Sequence, residues 1–190
     1  MIPQNMGLRE RCSVNRMELS KRQVGAFLKI MGNDTLYPQY MGAYIDKLGN
    51  DVVLVTTNRH SVAILYTEID EFYIGDIINR KSIETWYKLA SGKQKFTSEV
   101  AQELANVAEK MPQIPDNIRE NWSKIVPLGR GDLTEFQDNR TISFNAELGV
   151  QLQILDNVGY MQYTMNGKLK PLVAKSERGI YGLMPIIEGE

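Results

Sequence analysis

Apolar residues recur at helical spacing in some stretches of the chain and crowd together in others. Between residues 18 and 31, Val24, Phe27, Leu28 and Met31 stand at i, i+3, i+4 and i+7. That spacing puts them on one face of a helix. Ser20 followed by Gln23 has the spacing of a capping box, in which side chains satisfy free amides of the first turn. Gly32-Asn33-Asp34 ends the helix. The same test predicts a second helix over residues 80–91 from Ile83, Trp86, Tyr87 and Ala90, closed by Gly92. Thr97 or Ser98 then caps a third helix running to about Lys110, with Val100, Leu104, Val107, Ala108 and Met111 along one side. Pro112 and Pro115 break it. Residues 116–125 read as a short helix with Ile118, Trp122 and Ile125 inward, and residues 127–140 as a loop.

Strand patterns flank this helical middle. Residues 40–48 lead into Gly49-Asn50, a hairpin signal. Residues 51–57 (DVVLVTT) and 61–69 (SVAILYTEI) are rich in β-branched residues and are separated by Asn58-Arg59-His60. Near the end, residues 142–144 read as a short strand, and Asn145 caps a helix carrying Leu148, Leu152 and Leu155. Gly149 weakens that helix by ~1 kcal/mol relative to Ala. Asn166-Gly167 between residues 160–165 and 168–175 gives the strongest hairpin signal in the chain. Pro171 puts its strand at an edge or a bulge. Residues 179–187 form the last strand.

The predicted order is a helix and three strands, a helical middle, then a helix and three strands. That is an α+β architecture built on a duplicated helix-plus-antiparallel-meander unit, with sheet on one side and helices on the other. Residues 1–16 read as an N-terminal arm. Residues 17–187 form one domain, with halves 17–78 and 141–187 around a mainly helical insertion, 79–140.

Composition narrows the chemistry. With one Cys and one His, the chain cannot build a several-ligand Cys/His zinc site or an internal disulfide. Lys and Arg total 22 against 23 Asp and Glu, a formal charge of −1, which argues against general coating of nucleic acid but leaves room for a local basic face. No apolar run approaches the ~20 residues that span a bilayer. Arg9, Glu10 and Arg11 stand where a signal peptide needs apolar residues. A cytoplasmic protein with Cys12 as a free thiol and no membrane partner is the expectation.

Three stretches resemble the sliding clamps of bacterial DNA polymerase, the beta-subunit processivity factors. Val55 to Ala63 (VTTNRHSVA) resembles the family pattern A-T-D-G-H-R-L-A, with Thr57, His60 and Ala63 in register. Asp76 to Leu89 is similar to the family helix opening V-P-(R/K)-K-(A/G)-(I/V)-x-E-L-x-x-L. In the tail, Ile142 to Asn145, Lys170 to Val173 and Tyr181 to Ile186 resemble the closing domain, where G-F-N opens a helix and M-P-M-R-(L/I) ends the chain. The Asp-Gly turn is Asn58-Arg59 here, and the ending is Met184-Pro185-Ile186-Ile187. The clamps have three domains per subunit, and this chain has room for about one.

The resemblance implies a DNA-clamp-like fold and a non-enzymatic role in DNA replication or repair, with no cofactor and no metal. It implies oligomerisation around duplex DNA without sequence preference, with phosphates facing helix cations. Those cations are Lys21, Arg22 and Lys29 on the first helix and Arg80, Lys81 and Lys88 on the second. It also implies a cleft for short peptides of a DNA polymerase or other replication proteins. Carried over position by position, that cleft takes Thr57, Arg59, His60, Val62, Gly182, Met184, Pro185 and Ile186. The alternative is a regulatory, clamp-mimicking interaction module, of phage or mobile-element origin, that does not encircle DNA.

Each assignment has a plainer counterpart. The cations also fit the solvated face of an amphipathic helix, and Met184-Pro185 also fit a strand end. His60 is a general-base candidate, but no Ser or Cys motif accompanies it. Asp70-Glu71 and Asp132/Glu135 match no metal spacing. Gly129-Arg130-Gly131 lacks the context of a dinucleotide loop. Trp86 and Trp122 fit helix core faces better than base-stacking platforms.

Overall fold

A computed structural model describes residues 17–107, 150–155, 162–165 and 172–183. Helix α1 (Lys21–Ile30) begins directly after Ser20, the predicted cap, and three residues inside the expected span 18–31, because Glu18 and Leu19 form a short strand. The Ser20 hydroxyl accepts the Gln23 amide at 3.4 Å, and Gln23 Oε1 accepts the Ser20 amide at 2.9 Å, which closes the capping box. Val24, Phe27 and Ile30 are fully buried, so the apolar face that defines the helix in the sequence is the face it packs. Helix α2 (Arg80–Leu89) is capped by Asn79, and α3 (Ser98–Val107) follows. Thr97 Oγ1 accepts the Val100 amide at 3.5 Å, whereas Ser98 Oγ accepts the amide of Glu68 at 3.0 Å. Thr97 is therefore the capping side chain, and Ser98 fixes the chain leaving the third meander strand.

Strand β1 (Glu18–Leu19) precedes α1, and the first meander is β2 (Gly42–Leu48), β3 (Asp51–Thr57) and β4 (Ser61–Thr67). Strand β5 (Ile77–Asn79) leads directly into α2, and β6 (Phe96–Thr97) leads into α3. The second meander is β7 (Gln162–Met165), β8 (Leu172–Lys175) and β9 (Gly179–Leu183). The two meanders join in a seven-stranded antiparallel sheet of order β5-β2-β3-β4-β9-β8-β7, while β1 and β6 pair separately. Apart from β5, the order reads the same from either side of the β4–β9 seam: first, second and third strand of one meander, then third, second and first of the other. The seam itself runs from Ser61 opposite Leu183 to Leu65 opposite Gly179. This is the arrangement expected of a duplicated unit.

Both faces of the sheet are buried. Ala43, Ile45, Leu54, Leu65 and Tyr181 point to the face covered by α1, Ile83 of α2, Ala101 of α3, and the 3-10 helix Val150–Leu155. Tyr44, Val53, Val55, Val62, Ile64 and Ile180 form a separate cluster on the opposite face. Register explains that cluster, because Tyr44 pairs with Val55, Val55 with Ile64, and Ile64 with Ile180. Successive residues of a strand point to opposite faces. Runs such as VVLV and VAIL therefore supply apolar side chains to both, which is why they do not alternate with polar residues.

Several expectations change. Strands β1, β5 and β6 have no counterpart in the sequence reading, each being two or three residues long. The expected helix from Asn145 is, in its described part, a six-residue 3-10 helix. Its Leu155 is buried, while Leu148 lies outside the described residues. The described part of the last strand, expected over 179–187, is Gly179–Leu183, and residues 184–187 lie outside the described residues. Residues 1–16, the expected helix 116–125, the loop 127–140, the Asn166-Gly167 turn and Pro171 also lie outside the described residues.

Candidate functional site

The turn between β3 and β4 is built by its own side chains. Asn58 Oδ1 accepts the amides of His60 at 3.0 Å and Ser61 at 2.8 Å. Thr57 Oγ1 accepts the Arg59 amide at 3.1 Å and donates to the Ser61 carbonyl at 2.7 Å. Asn and Thr favour such turns because their short side chains substitute for backbone partners. Arg59 occupies the tip with φ +77°.

A buried polar group anchors the turn from behind. Gln151, on the 3-10 helix, is 3% exposed. Its Oε1 accepts the hydroxyls of Ser61 at 2.7 Å and Tyr181 at 3.1 Å, and its Nε2 donates to the Lys29 carbonyl at 3.1 Å. Asn58 Nδ2 reaches the same carbonyl at 3.4 Å. The end of α1, the turn and both seam strands thus meet at one side chain. Burial raises the Tyr181 hydroxyl above the ordinary tyrosine value.

Facing the turn is the loop after α1. Asp34 Oδ1 accepts the Leu36 amide at 2.9 Å, and Pro38–Tyr40 form a single 3-10 turn. Tyr37 and Tyr40, one 3-10 turn apart, present rings with centroids 6.3 Å apart. The Arg59 guanidinium lies 4.1 Å from the Tyr37 centroid and 5.9 Å from that of Tyr40. Between loop and turn is an open cavity of about 230 Å³, with Arg59 and His60 on one wall and Tyr37 and Tyr40 on the other.

Of the cleft residues named from the sequence, Arg59 and His60 line this cavity. Thr57 holds the turn. Val62 and Gly182 are directly opposite each other across the β4–β9 seam, so the two chain regions assigned to the cleft do meet. Val62, however, is 4% exposed and packs in the cluster with Val55 and Ile64 rather than in the cavity. Met184, Pro185 and Ile186 lie outside the described residues. Sequence reasoning misses Tyr37, Tyr40 and Gln151. The Y-P-Q-Y spacing is the available signal for the two tyrosines, whereas nothing local marks Gln151.

The helix cations divide into two sets. Lys21 Nζ donates to the Ala90 carbonyl at 2.7 Å and sits 5.2 Å from the Tyr87 ring centroid. Arg80 pairs with Glu84 at 2.6 Å and donates to the carbonyls of Leu28 and Met31, both at 2.7 Å, and Gly32 at 3.3 Å. Those carbonyls lie at the unsatisfied end of α1. Lys21 and Arg80 therefore join α1 to α2. Arg22, Lys29, Lys81 and Lys88 are exposed.

The acids weighed as metal ligands have structural partners. Asp70 Oδ1 accepts the Phe72 amide at 2.8 Å, and Glu71 pairs with Lys47 at 3.0 Å. Asp132 and Glu135 lie outside the described residues. Among the described residues no group of three His, Cys, Asp or Glu side chains is placed to hold a metal ion. No helix among them is long and apolar enough to cross a membrane. Trp86 packs edge-on against Phe96 with centroids 5.0 Å apart, as a core residue does.

No family model matches the chain, and no curated protein sequence matches it. Solved structures do. The chain is similar to DNA polymerase III subunit beta from Borrelia burgdorferi at a TM-score of 0.56 and 14% identity, over 91% of this chain and 64% of that one. It is similar to the DNA polymerase sliding clamp of Bacillus subtilis at 0.51 and 11%, over 91% and 64% of the two chains. For subunit beta of Pseudomonas aeruginosa the values are 0.50 and 11%, over 90% and 66%. The chain has the sliding-clamp fold. Within that fold the match spans just under two thirds of each of these clamps. At such identities the likeness is one of fold, and it agrees with the mirrored sheet and the helices packed on one of its faces.

Proposed function

We propose that this chain is a non-enzymatic, clamp-like protein of DNA replication. It captures short peptides of replication proteins at the β3–β4 turn and, as a homo-oligomer, retains duplex DNA without reading its sequence. The observation that supports this most is the sheet mirrored about the β4–β9 seam, with α1 and α2 side by side on one face, in a chain whose backbone is similar to sliding clamps.

In this reading the residues divide by role. Lys29, Lys81, Lys88 and Arg22 supply the cations for phosphate contacts, which are loose and salt-dependent by nature. Lys21 and Arg80 instead keep the two helices in register. The turn supplies a peptide site, since its tip is held by Asn58, Thr57 and Gln151 while its outer wall is aromatic. An extended peptide with apolar anchors suits such a wall. The residues expected to complete the site are Met184, Pro185 and Ile186, and methionine adapts well to varied partners.

The test is retention on DNA topology. The protein is incubated with nicked circular duplex and separated by gel filtration, and a parallel sample is then linearised. Its oligomeric mass is measured by light scattering. Co-elution with the circle, release on cutting and a mass of several protomers are the expected results. A monomer at high concentration that neither stays on the circle nor binds replication-protein peptides overturns the proposal. A monomer that binds peptides but not DNA identifies a clamp-mimicking module instead.

A further inference from the structure

Arg59 is the one described residue other than glycine with positive φ. A turn that needed only the bend would be met with less strain by glycine, and strain held at a surface site points to a use for the side chain. The conformation places the guanidinium against the Tyr37 ring at 4.1 Å, with Tyr40 behind it at 5.9 Å. A guanidinium carries five N–H donors, more than contact with one ring can occupy. Among the described residues no carboxylate or carbonyl takes them: only the backbone amide of Arg59 is bonded, to Thr57 Oγ1. Among the described residues, Asp34 is the one acid lining the cavity; its Oδ1 accepts the Leu36 amide and it forms no ion pair with Arg59.

The base of the arrangement is fixed. Asn58 ties the turn to the α1 carbonyl of Lys29, and Gln151 holds Ser61 and that same carbonyl. A guanidinium is thus held beside an aromatic wall and a space of about 230 Å³. A carboxylate matches a guanidinium by accepting two parallel hydrogen bonds.

We propose that Arg59 reads a carboxylate, so that the cavity selects partner peptides carrying Asp or Glu beside the apolar or aromatic side chain packed against Tyr37 and Tyr40. The proposal rests on the peptide-capture reading and adds to it the chemical class of the partner.

Fluorescence anisotropy on the full chain tests it. The probes are labelled pentapeptides of Leu and Phe, blocked at both ends, with one Asp, Asn or Lys scanned along the sequence. At one position the Asp peptide should bind about tenfold more tightly than the Asn peptide, with the Lys peptide weakest. The preference should shrink at high salt. Arg59→Gln and Arg59→Gly should remove the Asp preference, so that each variant binds the Asp and Asn peptides with equal affinity whatever that affinity is. Gly is suited to the φ of this position, so that variant keeps its fold. Equal affinity for Asp and Asn peptides at every position overturns the inference alone, as does a preference that survives Arg59→Gln. Absence of binding to every peptide overturns peptide capture and this inference with it.

Discussion

A Cβ on Gly179 would collide with the carbonyl oxygen of Ile64, at the point where β9 first lies against β4. The obstacle is backbone, so no side chain can swing away to relieve it. Gly179→Ala should therefore cost on the order of 2–4 kcal/mol, read as a lower urea midpoint with little change in slope. Arg59 is the opposite case. Its φ of +77° is strained for any side chain, and its stacking on Tyr37 offsets part of that cost. Arg59→Gly should leave the unfolding free energy from urea titration within about 1 kcal/mol of wild type. Gln151 is where a single polar side chain matters most. Gln151→Leu keeps the bulk but removes the acceptor for Ser61 and Tyr181 and the donor to Lys29. It should cost about 2–3 kcal/mol by the same measurement, because buried groups lose their partners. Nothing in the sequence near position 151 announces this role. Its partners are 30, 90 and 122 residues away, and only the fold brings them together.

Elements are legible in proportion to their length and periodicity. Helix α1 can be read to within three residues of the expected span 18–31, because a capping box, an apolar stripe and a glycine stop agree there. The long strands β2, β3 and β4 are legible for the same reason. Strand β5 is not, since Ile77–Asn79 is too short to show a period and gains its identity from pairing with β2. The helix cations illustrate a different limit. Sequence places Lys21 and Arg80 on exposed faces with the others, but cannot tell a cation that meets solvent from one that meets a neighbouring helix. Arg80 sits on the carbonyls that close α1 and pairs with Glu84, so its loss affects the α1–α2 junction. Arg80→Ala should lower stability by ~2 kcal/mol while leaving the salt dependence of DNA retention unchanged. Lys81→Ala or Lys88→Ala should do the reverse. Stability should stay within about 0.5 kcal/mol, and the slope of log affinity against log salt should become shallower by about 0.9 for each phosphate that is no longer neutralised. Equal slopes for all three variants would separate the α2 cations from DNA.

At the scale of the whole molecule, the duplication is readable because each meander carries its own turn and strand signals. The burial of both sheet faces is not, since a run such as VVLV fits one deeply buried strand in many architectures. That double burial has a consequence for alkaline stability. Tyr44 lies in the cluster on one face and Tyr181 in the core on the other, 2% and 0% exposed. Burial pushes the Tyr44 hydroxyl up to about 12 and raises that of Tyr181 as well. An unfolded chain ionises its tyrosines near pH 10. Below that pH both states are protonated, and the folded state keeps its full advantage. Above it the unfolded chain releases protons that the native core retains, so stability falls from about pH 10 through about pH 12 and beyond. Both layers lose stability in the same window, so the sheet should unfold as a unit rather than shed one face. Absorbance at 295 nm should show Tyr44 and Tyr181 ionising only as far-UV circular dichroism reports loss of strand. Tyr181→Phe removes one of the two groups and should make the decline less steep, at a cost at neutral pH from the hydroxyl lost to Gln151. Smooth ionisation of all nine tyrosines near pH 10 with the sheet intact would mean that neither face is closed to water.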